Sequence, residues 1–157
     1  MFCLGVAKRM AQNRFYTNGY NGIIKSCIIG AQCNITLNRA QQGNYLSLPD
    51  ILDFNQQLNI IEQDPQVKAV FIKSTSKRIF CSGIDFKEYE NNGIDYARKH
   101  ITASYELISN LAQFNKPMLC YFNGTLKNIA LGFLFASHGS YSDSLDLHLN
   151  EEGQNII

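Results

Sequence analysis

The stretch VKAVFIKSTSKRIFCSGIDF, residues 67–86, decides the fold class of this chain. Its first seven residues, Val67–Lys73, are β-branched and apolar, which predicts a strand buried inside a sheet. The polar turn STSKR follows, and then a short apolar segment, IFC, that ends at Ser82-Gly83. The stretch therefore predicts two neighbouring strands of one sheet.

Helical patterns lie on both sides of these strands. Before them, Ser47-Leu48-Pro49-Asp50 has the S-x-x-D form of a capping box, with proline in the first turn. Asp64-Pro65 ends this first helix. Its core-facing positions recur every three or four residues and are Ile51, Phe54, Leu58 and Ile61. The second helix is predicted over 95–114, with an inner stripe of Ala97, Ile101, Tyr105, Ile108 and Leu111 or Ala112.

Further strands complete the pattern. Residues 33–37 (CNITL) and 118–122 (MLCYF) predict two strands, and Asn123-Gly124 predicts a turn after the second. Ile129–Ala136 is apolar on every side and predicts a fully buried helix, while LDLHLN, residues 145–150, predicts a last strand. Strands that alternate with helices indicate a single α/β domain.

Composition excludes several classes of protein. The chain has 157 residues, 45% of them hydrophobic and 17% charged, which is not the composition of a disordered or fibrous protein. A net charge of +1 gives no strong positive field, so direct nucleic-acid binding is not favoured. No apolar run reaches the roughly 20 residues of a membrane span. The five cysteines and three histidines form neither CxxC nor HxxxH, so no metal site is predicted.

Charge is divided unevenly along the chain. The first acidic residue is Asp50, whereas residues 1–49 carry five basic ones; residues 50–157 hold nine basic and thirteen acidic residues. Residues 1–27 therefore form a basic arm typical of mitochondrial targeting segments, and residues 28–157 form the domain. The alternative is an ordinary basic tail. We expect a mitochondrial location.

Three segments in order resemble the crotonase (enoyl-CoA hydratase/isomerase) family. ITLNRAQQGNYLS (35–47) resembles its "LNRP…NALS" opening, and residues 61–86, ending in FCSGIDF, resemble its "DP.VK…FCAG.DF" segment. NKPMLCYFNGTLKNIALGFLFASHGSYS (115–142) is similar to "KPVIAAVNG.A.GGG..LAL.CD..YA". The resemblance implies a crotonase-like ββα spiral that stops before the family's C-terminal helices, and it is closest to the enoyl-CoA isomerase branch.

The resemblance implies two backbone donors for the oxyanion of an acyl-CoA thioester. The first family donor follows the glycine of the CAG motif and corresponds here to Ile84. The second lies in the family's glycine turn and corresponds to Ile129, where a β-branched residue is expected to crowd and stiffen the turn. Residual acyl-CoA binding at Ile84 and Ile129 follows as an expectation, with no resident cofactor.

The family's proton-transferring residues are not reproduced. The family position for the first glutamate is Gly132 here, which has no side chain to move a proton. The second position corresponds to Glu152, in a Glu-Glu-Gly context that differs from the family's, and two solvated acids are the plainer interpretation. No catalytic residue is predicted beyond a vestigial Glu152.

These features predict a non-catalytic structural or accessory subunit of a mitochondrial complex, with the respiratory chain or ATP synthase ahead of the mitoribosome. Its partners would be the other protein subunits. The alternative is an active enoyl-CoA isomerase or hydratase that a partner chain completes. A third hypothesis is an acyl-CoA sensor that binds without turnover.

Overall fold

In a computed structural model, residues 14–15 and 22–148 are described, with side chains over 22–142. Within these residues there are seven strands, in chain order Arg14–Phe15 (β1), Ile24–Ile29 (β2), Gln32–Leu37 (β3), Ala69–Ser74 (β4), Ile79–Cys81 (β5), Met118–Lys127 (β6) and Gly139–His148 (β7). The three α-helices are Leu48–Gln63 (α1), Lys87–Ala112 (α2) and Leu131–Ala136 (α3). Short 3₁₀ turns occupy Ala40–Gln42 and Asn128–Ala130. The predicted α/β class is confirmed.

The strands form one mixed sheet in the order β1-β2-β3-β4-β6-β5, with β7 paired to β6. β2 and β3 form an antiparallel hairpin, whereas β3, β4, β5, β6 and β7 pair in parallel. Alternate strand residues are buried under the helices, and the hydrophobic core lies between the helices and this face. The loops at the carboxyl ends of β5 and β6 therefore lie close together.

Several local predictions are confirmed. Ser47 accepts a hydrogen bond from the Asp50 N–H, and the Asp50 carboxylate accepts one from the Ser47 N–H, which is the predicted capping box. α1 ends at Gln63, next to the predicted stop, and its predicted core positions are buried. The predicted boundary after residue 27 falls inside β2 (Ile24–Ile29), so residues 24–27 belong to the sheet.

The predicted inner stripe of α2 is confirmed at Ala97 and Leu111, which are buried, and at Ile108, which is partly buried against the core. It was wrong at two positions. Ile101 and Tyr105 are exposed. The buried face consists of Ala97, His100, Ala103, Ser104, Leu107 and Leu111. Asn55 of α1 ties the two helices together on this face, because its side chain donates a hydrogen bond to the Ala103 carbonyl and accepts one from Asn110. Such polar contacts between helices do not appear in a hydrophobic pattern.

Two other predictions were also wrong. The chain does not turn at Asn123-Gly124, because β6 continues through both residues to Lys127. The segment predicted as one fully buried helix is a 3₁₀ turn followed by α3, and Phe135 on α3 is exposed. Ala130 and Phe133 face the core, so the segment is buried on one side only. None of the described helices combines the length and apolar character that a membrane span requires.

Candidate active site

The loop after β5 carries the first predicted donor, Ile84. The preceding residue, Gly83, has a φ of +81°. A Cβ atom at this position would lie 2.7 Å from the Lys127 carbonyl oxygen and 3.0 Å from the Asn128 Cβ atom. Glycine alone accommodates both the left-handed φ and this close approach. The structure therefore brings the loop that carries Ile84 against the turn that carries Ile129.

Both predicted donor N–H groups are in suitable local positions. The Ile84 N–H has no hydrogen-bond acceptor among the residues that the structure describes, and the Ile84 side chain is only 7% exposed. Ile129 lies in the 3₁₀ turn Asn128–Ala130, where the first N–H groups have no acceptor within the turn. An oxyanion hole is built from two N–H groups that point at one oxygen, and these two lie on adjoining loops.

The turn before α3 accommodates Ile129 without the expected strain. The left-handed residue in this turn is Asn128, with a φ of +52°, rather than Ile129. Asparagine is one of the few residues other than glycine that adopt this region readily. Asn128, which corresponds to the first residue of the family's glycine run, therefore carries the positive φ of this turn. Its side-chain Nδ2 atom is buried without a hydrogen-bond partner among the described residues.

A second loop supports the loop that carries Ile84. The Ser82 N–H donates to the Gly43 carbonyl at 2.9 Å, and the Leu46 N–H donates to the Gly83 carbonyl at 2.8 Å. These two bonds hold both residues before Ile84 to residues 43–46. The position of the first donor therefore depends on that loop.

Asn44 fixes the supporting loop, and sequence analysis missed this role. Asn44 is fully buried with a φ of +51°. Its Oδ1 atom accepts from the Arg39 N–H at 2.8 Å, and its Nδ2 atom donates to the Ser74 hydroxyl and the Phe80 carbonyl, both at 2.9 Å. The asparagine shared with the "NALS" opening was the available signal, but its contacts depend on the folded structure.

Other polar groups near Ile84 have structural roles. Cys81 donates from Sγ to the Asn44 carbonyl at 3.1 Å, and burial raises the pKa of its thiol to about 12, so it remains protonated. The Asp85 carboxylate accepts a hydrogen bond from the Lys87 N–H at the start of α2. Cys81 therefore supplies no thiolate nucleophile, and Asp85 ties this loop to the start of α2.

A cavity of about 560 Å³ opens beside this loop. It is lined by Arg39, Gln41, Gln42, Gly43, Tyr45, Ser47, Asp85 and Glu88. The Glu88 carboxylate also accepts a hydrogen bond from the Tyr96 hydroxyl at 2.7 Å, and Arg39 forms an ion pair with Asp50. The cavity therefore combines space for a ligand with polar groups next to the first predicted donor.

The predicted acid position is filled by an apolar side chain. A Cβ atom at Gly132 would lie 2.1 Å from Cδ1 and 2.7 Å from Cγ1 of Ile108 on α2. Ile108 therefore occupies the space into which a side chain from residue 132 would extend. A carboxylate there requires Ile108 to move. The second predicted position, Glu152, lies outside the described residues.

Replacing Gly132 with alanine is expected to lower the free energy of unfolding by about 1–2 kcal/mol, because overpacking against Ile108 exceeds the gain in helix propensity. In an Ile108→Ala background, the same change is expected to be neutral or stabilising. Urea unfolding of the four proteins in this cycle measures the coupling. Equal effects of Gly132→Ala in both backgrounds would contradict the packing that we describe.

His100 on α2 lies beneath the supporting loop. Its ring is fully buried, and the rings of Tyr89 and Tyr96 pack edge-on against it at centroid distances of 5.6 and 5.8 Å. Its nitrogens have no well-formed hydrogen bond with the described residues, although the Leu46 backbone lies near. Burial lowers the pKa of His100 from its ordinary 6.5, and nearby Glu88 partly opposes this.

We therefore expect acidification to destabilise the fold through His100. The unfolded chain binds the proton more readily, so this contribution to stability is complete above pH 6.5 and falls as the pH drops toward the folded-state pKa. Urea unfolding between neutral and mildly acidic pH measures it. His100→Gln should flatten the dependence, whereas the control His138→Gln, at an exposed position, should retain it. A His100→Gln protein with unchanged pH dependence would disprove the assignment.

The described residues contain no group of three or more histidine, cysteine or acidic side chains that could hold a metal ion. The arrangement around Ile84 thus offers backbone donors, a cavity and a buried histidine. Backbone N–H groups of this kind are the donors from which oxyanion holes are built.

Comparisons with known proteins agree with this geometry. The enoyl-CoA hydratase/isomerase family model matches residues 32–133. A mouse protein named mitochondrial 3-hydroxyisobutyryl-CoA hydrolase is 31% identical over 112 residues, covering 68% of this chain and 28% of that protein. The chicken protein of the same name is 28% identical over 107 residues, covering 66% and 28%. The chain thus spans less than a third of these curated relatives.

Solved structures show the same fold. An enoyl-CoA hydratase from Bacillus anthracis matches with a TM-score of 0.71 at 22% identity, covering 80% of this chain and 50% of that one. One from Rhodobacter sphaeroides matches with a TM-score of 0.75 at 20% identity, covering 80% and 40%. The branch within the family stays a prediction. The family match, together with the paired loops at Ile84 and Ile129, establishes that this chain belongs to the enoyl-CoA hydratase/isomerase, or crotonase, family.

Proposed function

We propose that this chain is a non-catalytic crotonase-fold protein that serves as a structural or accessory subunit of a mitochondrial multi-protein complex. The observation that carries the proposal is the contact between Gly132 and Ile108. At the position where family hydratases hold a proton-transferring glutamate, this chain has no side chain, and Ile108 fills the space. Oxyanion donors without a positioned acid or base bind a thioester but do not move its protons.

A mitochondrial location is supported by two observations. The chicken and mouse relatives carry the word mitochondrial in their names. The first 49 residues contain five basic and no acidic side chains. A net charge of +1 favours a respiratory-chain complex or ATP synthase over the mitoribosome, because RNA contact favours strongly basic surfaces.

Size separation of mitochondrial extract tests this proposal. We expect the protein to elute in a large assembly, together with the same subunits in repeated preparations. Stripping weakly associated proteins with moderate salt should leave this association intact if the protein is a structural subunit. Elution of the whole population near the 17.7 kDa monomer mass or twice that mass would contradict the proposal.

A second candidate is an enzyme acting on acyl-CoA, as an enoyl-CoA isomerase or hydratase or as a thioester hydrolase, completed by a partner chain. The observation in its favour is the pair of donor loops, held together by the close approach of Gly83 to Lys127. The chicken and mouse relatives are named as hydrolases of an acyl-CoA thioester. In thioester hydrolysis, a group other than an acid at residue 132 can transfer the proton.

Calorimetry and turnover assays separate these functions. An enzyme binds and turns over an acyl-CoA, such as 3-hydroxyisobutyryl-CoA or an enoyl-CoA, and loses turnover on Glu152→Gln. A sensor binds without turnover and does not depend on Glu152. For both, Gly83→Ala should abolish binding by separating the donor loops, whereas Gly30→Ala, at a left-handed glycine with nothing within 4 Å, should not. Absence of binding at millimolar acyl-CoA would remove both.

A further inference from the structure

The outer face of the sheet, which is the face opposite the buried core, carries an apolar cavity. Phe71 of β4 is half-buried on this face, and Leu119 of β6 is 41% exposed. Tyr141 of β7 is 66% exposed and stacks on Tyr121 of β6 at a centroid distance of 5.5 Å. These four residues line a cavity of about 540 Å³. A cluster of exposed apolar side chains around a cavity marks an interaction surface.

The polarity of the outer face changes from strand to strand. On β2, next to the edge strand β1, Ile29 is 55% exposed. The next strand, β3, presents only polar side chains to this face, and two of them are joined by a hydrogen bond from Gln32 to Asn34 at 2.8 Å. The apolar cavity lies beyond β3, on β4, β6 and β7. A segment that crosses the strands from β1 therefore meets apolar, then polar, then apolar groups.

The chain enters β1 at the end of the sheet where this cavity lies. β1 is antiparallel to β2, with Arg14 opposite Ile28, so the chain enters β1 from the end at which β2 finishes with Ile29. The pairing of β3 with β4, of β4 with β6 and of β6 with β7 is parallel, and these strands all start at that same end. Residues 1–13, which precede β1, therefore begin beside the outer face at the level of the cavity.

The arm of residues 1–13 is long enough to cross the face. Neighbouring strands lie about 4.8 Å apart, so the path from β1 across β2, β3, β4 and β6 to β7 is about 24 Å. Thirteen residues in an extended conformation span up to about 43 Å. The arm therefore has enough length to rise over the edge of the sheet and still reach β7.

The sequence of the arm has the same order of polarity as the face. Counted outward from β1, Met10-Ala11 is apolar, Lys8-Arg9 is charged, and residues 1–7 (MFCLGVA) are apolar. This order would place the charged pair near the polar strand β3 and the apolar residues 1–7 over the cavity. Both the length and the pattern of the arm thus fit the outer face.

The segment that follows β7 fits this face less well. Residues 149–157 (LNEEGQNII) follow His148, which pairs with Lys127, whereas the cavity lies near the pair Leu119 and Gly139 at the other end of β6. To reach the cavity, this segment must run back along most of β7. The residues that would make that return are mainly polar, NEEGQN. The arm before β1 is therefore the better occupant.

We propose that residues 1–13 cross the outer face of the sheet and that residues 1–7 occupy the apolar cavity on β4, β6 and β7. The occupant is this segment because its starting point, its length and its order of apolar and charged residues all match the face. The arm thus covers an interaction surface of its own domain, and displacement of the arm would open that surface to another protein. This inference is independent of the proposed function.

Disulfide trapping in the full chain tests the proposal. Cys3 lies in the arm, and Leu119→Cys adds a thiol beside the cavity. The background is Cys27→Ser, which removes a half-buried thiol; the remaining cysteines of the domain, Cys33, Cys81 and Cys120, are buried. Tyr105→Cys, at an exposed position on α2, is the matched control. Under mild oxidation of dilute protein, we expect an intramolecular disulfide from Cys3 to residue 119 to form about tenfold faster than one to residue 105, because docking raises the local concentration of Cys3.

Charges placed in the arm test whether apolar contact holds it. Phe2→Asp combined with Leu4→Asp should slow trapping at residue 119 to the rate of the residue 105 control, because burying carboxylates in an apolar cavity is unfavourable. Gln12→Asp, outside the apolar stretch, should leave trapping unchanged. Equal rates at residues 119 and 105, absence of trapping at both, disulfides between two chains rather than within one, or trapping that survives Phe2→Asp with Leu4→Asp would overturn the proposal.

Discussion

Gly124→Ala is expected to lower the free energy of unfolding by about 4 kcal/mol or more, enough to unfold a marginal domain. Gly124 is buried in β6 with a φ of +75°. A Cβ atom there would lie 1.9 Å from the carbonyl oxygen and 2.1 Å from the carbonyl carbon of Arg78. These are backbone atoms, so no change of rotamer relieves the overlap, and the strand must move. Urea unfolding followed by circular dichroism measures the loss.

Gly30→Ala is the matched control for this prediction. Gly30 also has a left-handed φ, +64°, but nothing lies within 4 Å of the position that its Cβ would take. Gly30→Ala should lower the free energy of unfolding by only about 1–2 kcal/mol, which is the cost of placing alanine at a left-handed φ. If Gly124→Ala and Gly30→Ala lowered the free energy of unfolding by similar amounts, the close approach of Gly124 to Arg78 would not contribute to stability.

Gly124 also shows why the turn predicted at Asn123-Gly124 was wrong. An Asn-Gly pair usually marks a tight turn, because both residues adopt left-handed conformations. Here Gly124 does have a positive φ, but it lies inside β6 and pairs with Leu145 of β7, one residue after the register shift between Phe122 and Asn123. The sequence pattern indicated a turn, and the structure keeps only the positive φ of Gly124. Whether it served a turn or an irregularity inside a strand depended on Arg78, 46 residues earlier.

Features that depend on neighbouring residues were thus predicted from the sequence more fully than features that depend on contacts between distant residues. The capping box at Ser47 and the strand around Ile35 were predicted because their determinants lie within a few residues. The buried face of α2 was predicted only in part, because Ile101 and Tyr105 continue the apolar pattern onto the exposed side of the helix. In the candidate site, the positions of Ile84 and Ile129 followed from the resemblance, but the filling of the Gly132 space by Ile108 required the fold.

Asn44→Ala is expected to lower the free energy of unfolding by about 3–4 kcal/mol, because the change leaves buried groups without partners and places alanine at a left-handed φ. The unpaired groups would be the Arg39 N–H and the Phe80 carbonyl, which contact the Asn44 side chain at 2.8 and 2.9 Å. Urea unfolding measures the total. Asn44→Gly, which accepts the same φ, should lose about 1 kcal/mol less.

A loss of stability would not show that Asn44 positions the loop that carries Ile84. Hydrogen exchange at individual N–H groups provides that second measurement. The Ser82 and Leu46 N–H groups bond to the Gly43 and Gly83 carbonyls, and these bonds hold the residues before Ile84. We expect Asn44→Ala to speed exchange at both N–H groups by more than the global loss of stability explains. Asn55→Ala is the control, because it removes a buried amide that joins α1 to α2 through Ala103 and Asn110, away from this loop.

The two asparagines therefore separate a general packing effect from a specific one. If Asn44→Ala and Asn55→Ala change exchange at Ser82 and Leu46 only in proportion to their effects on global unfolding, then Asn44 is an ordinary buried amide. If the Asn44 variant alone exposes these N–H groups, one side chain holds the loop before Ile84 in register with β4 and β5. The first oxyanion donor would then depend on a residue that itself contacts no substrate, and Asn44 would be a positioning residue.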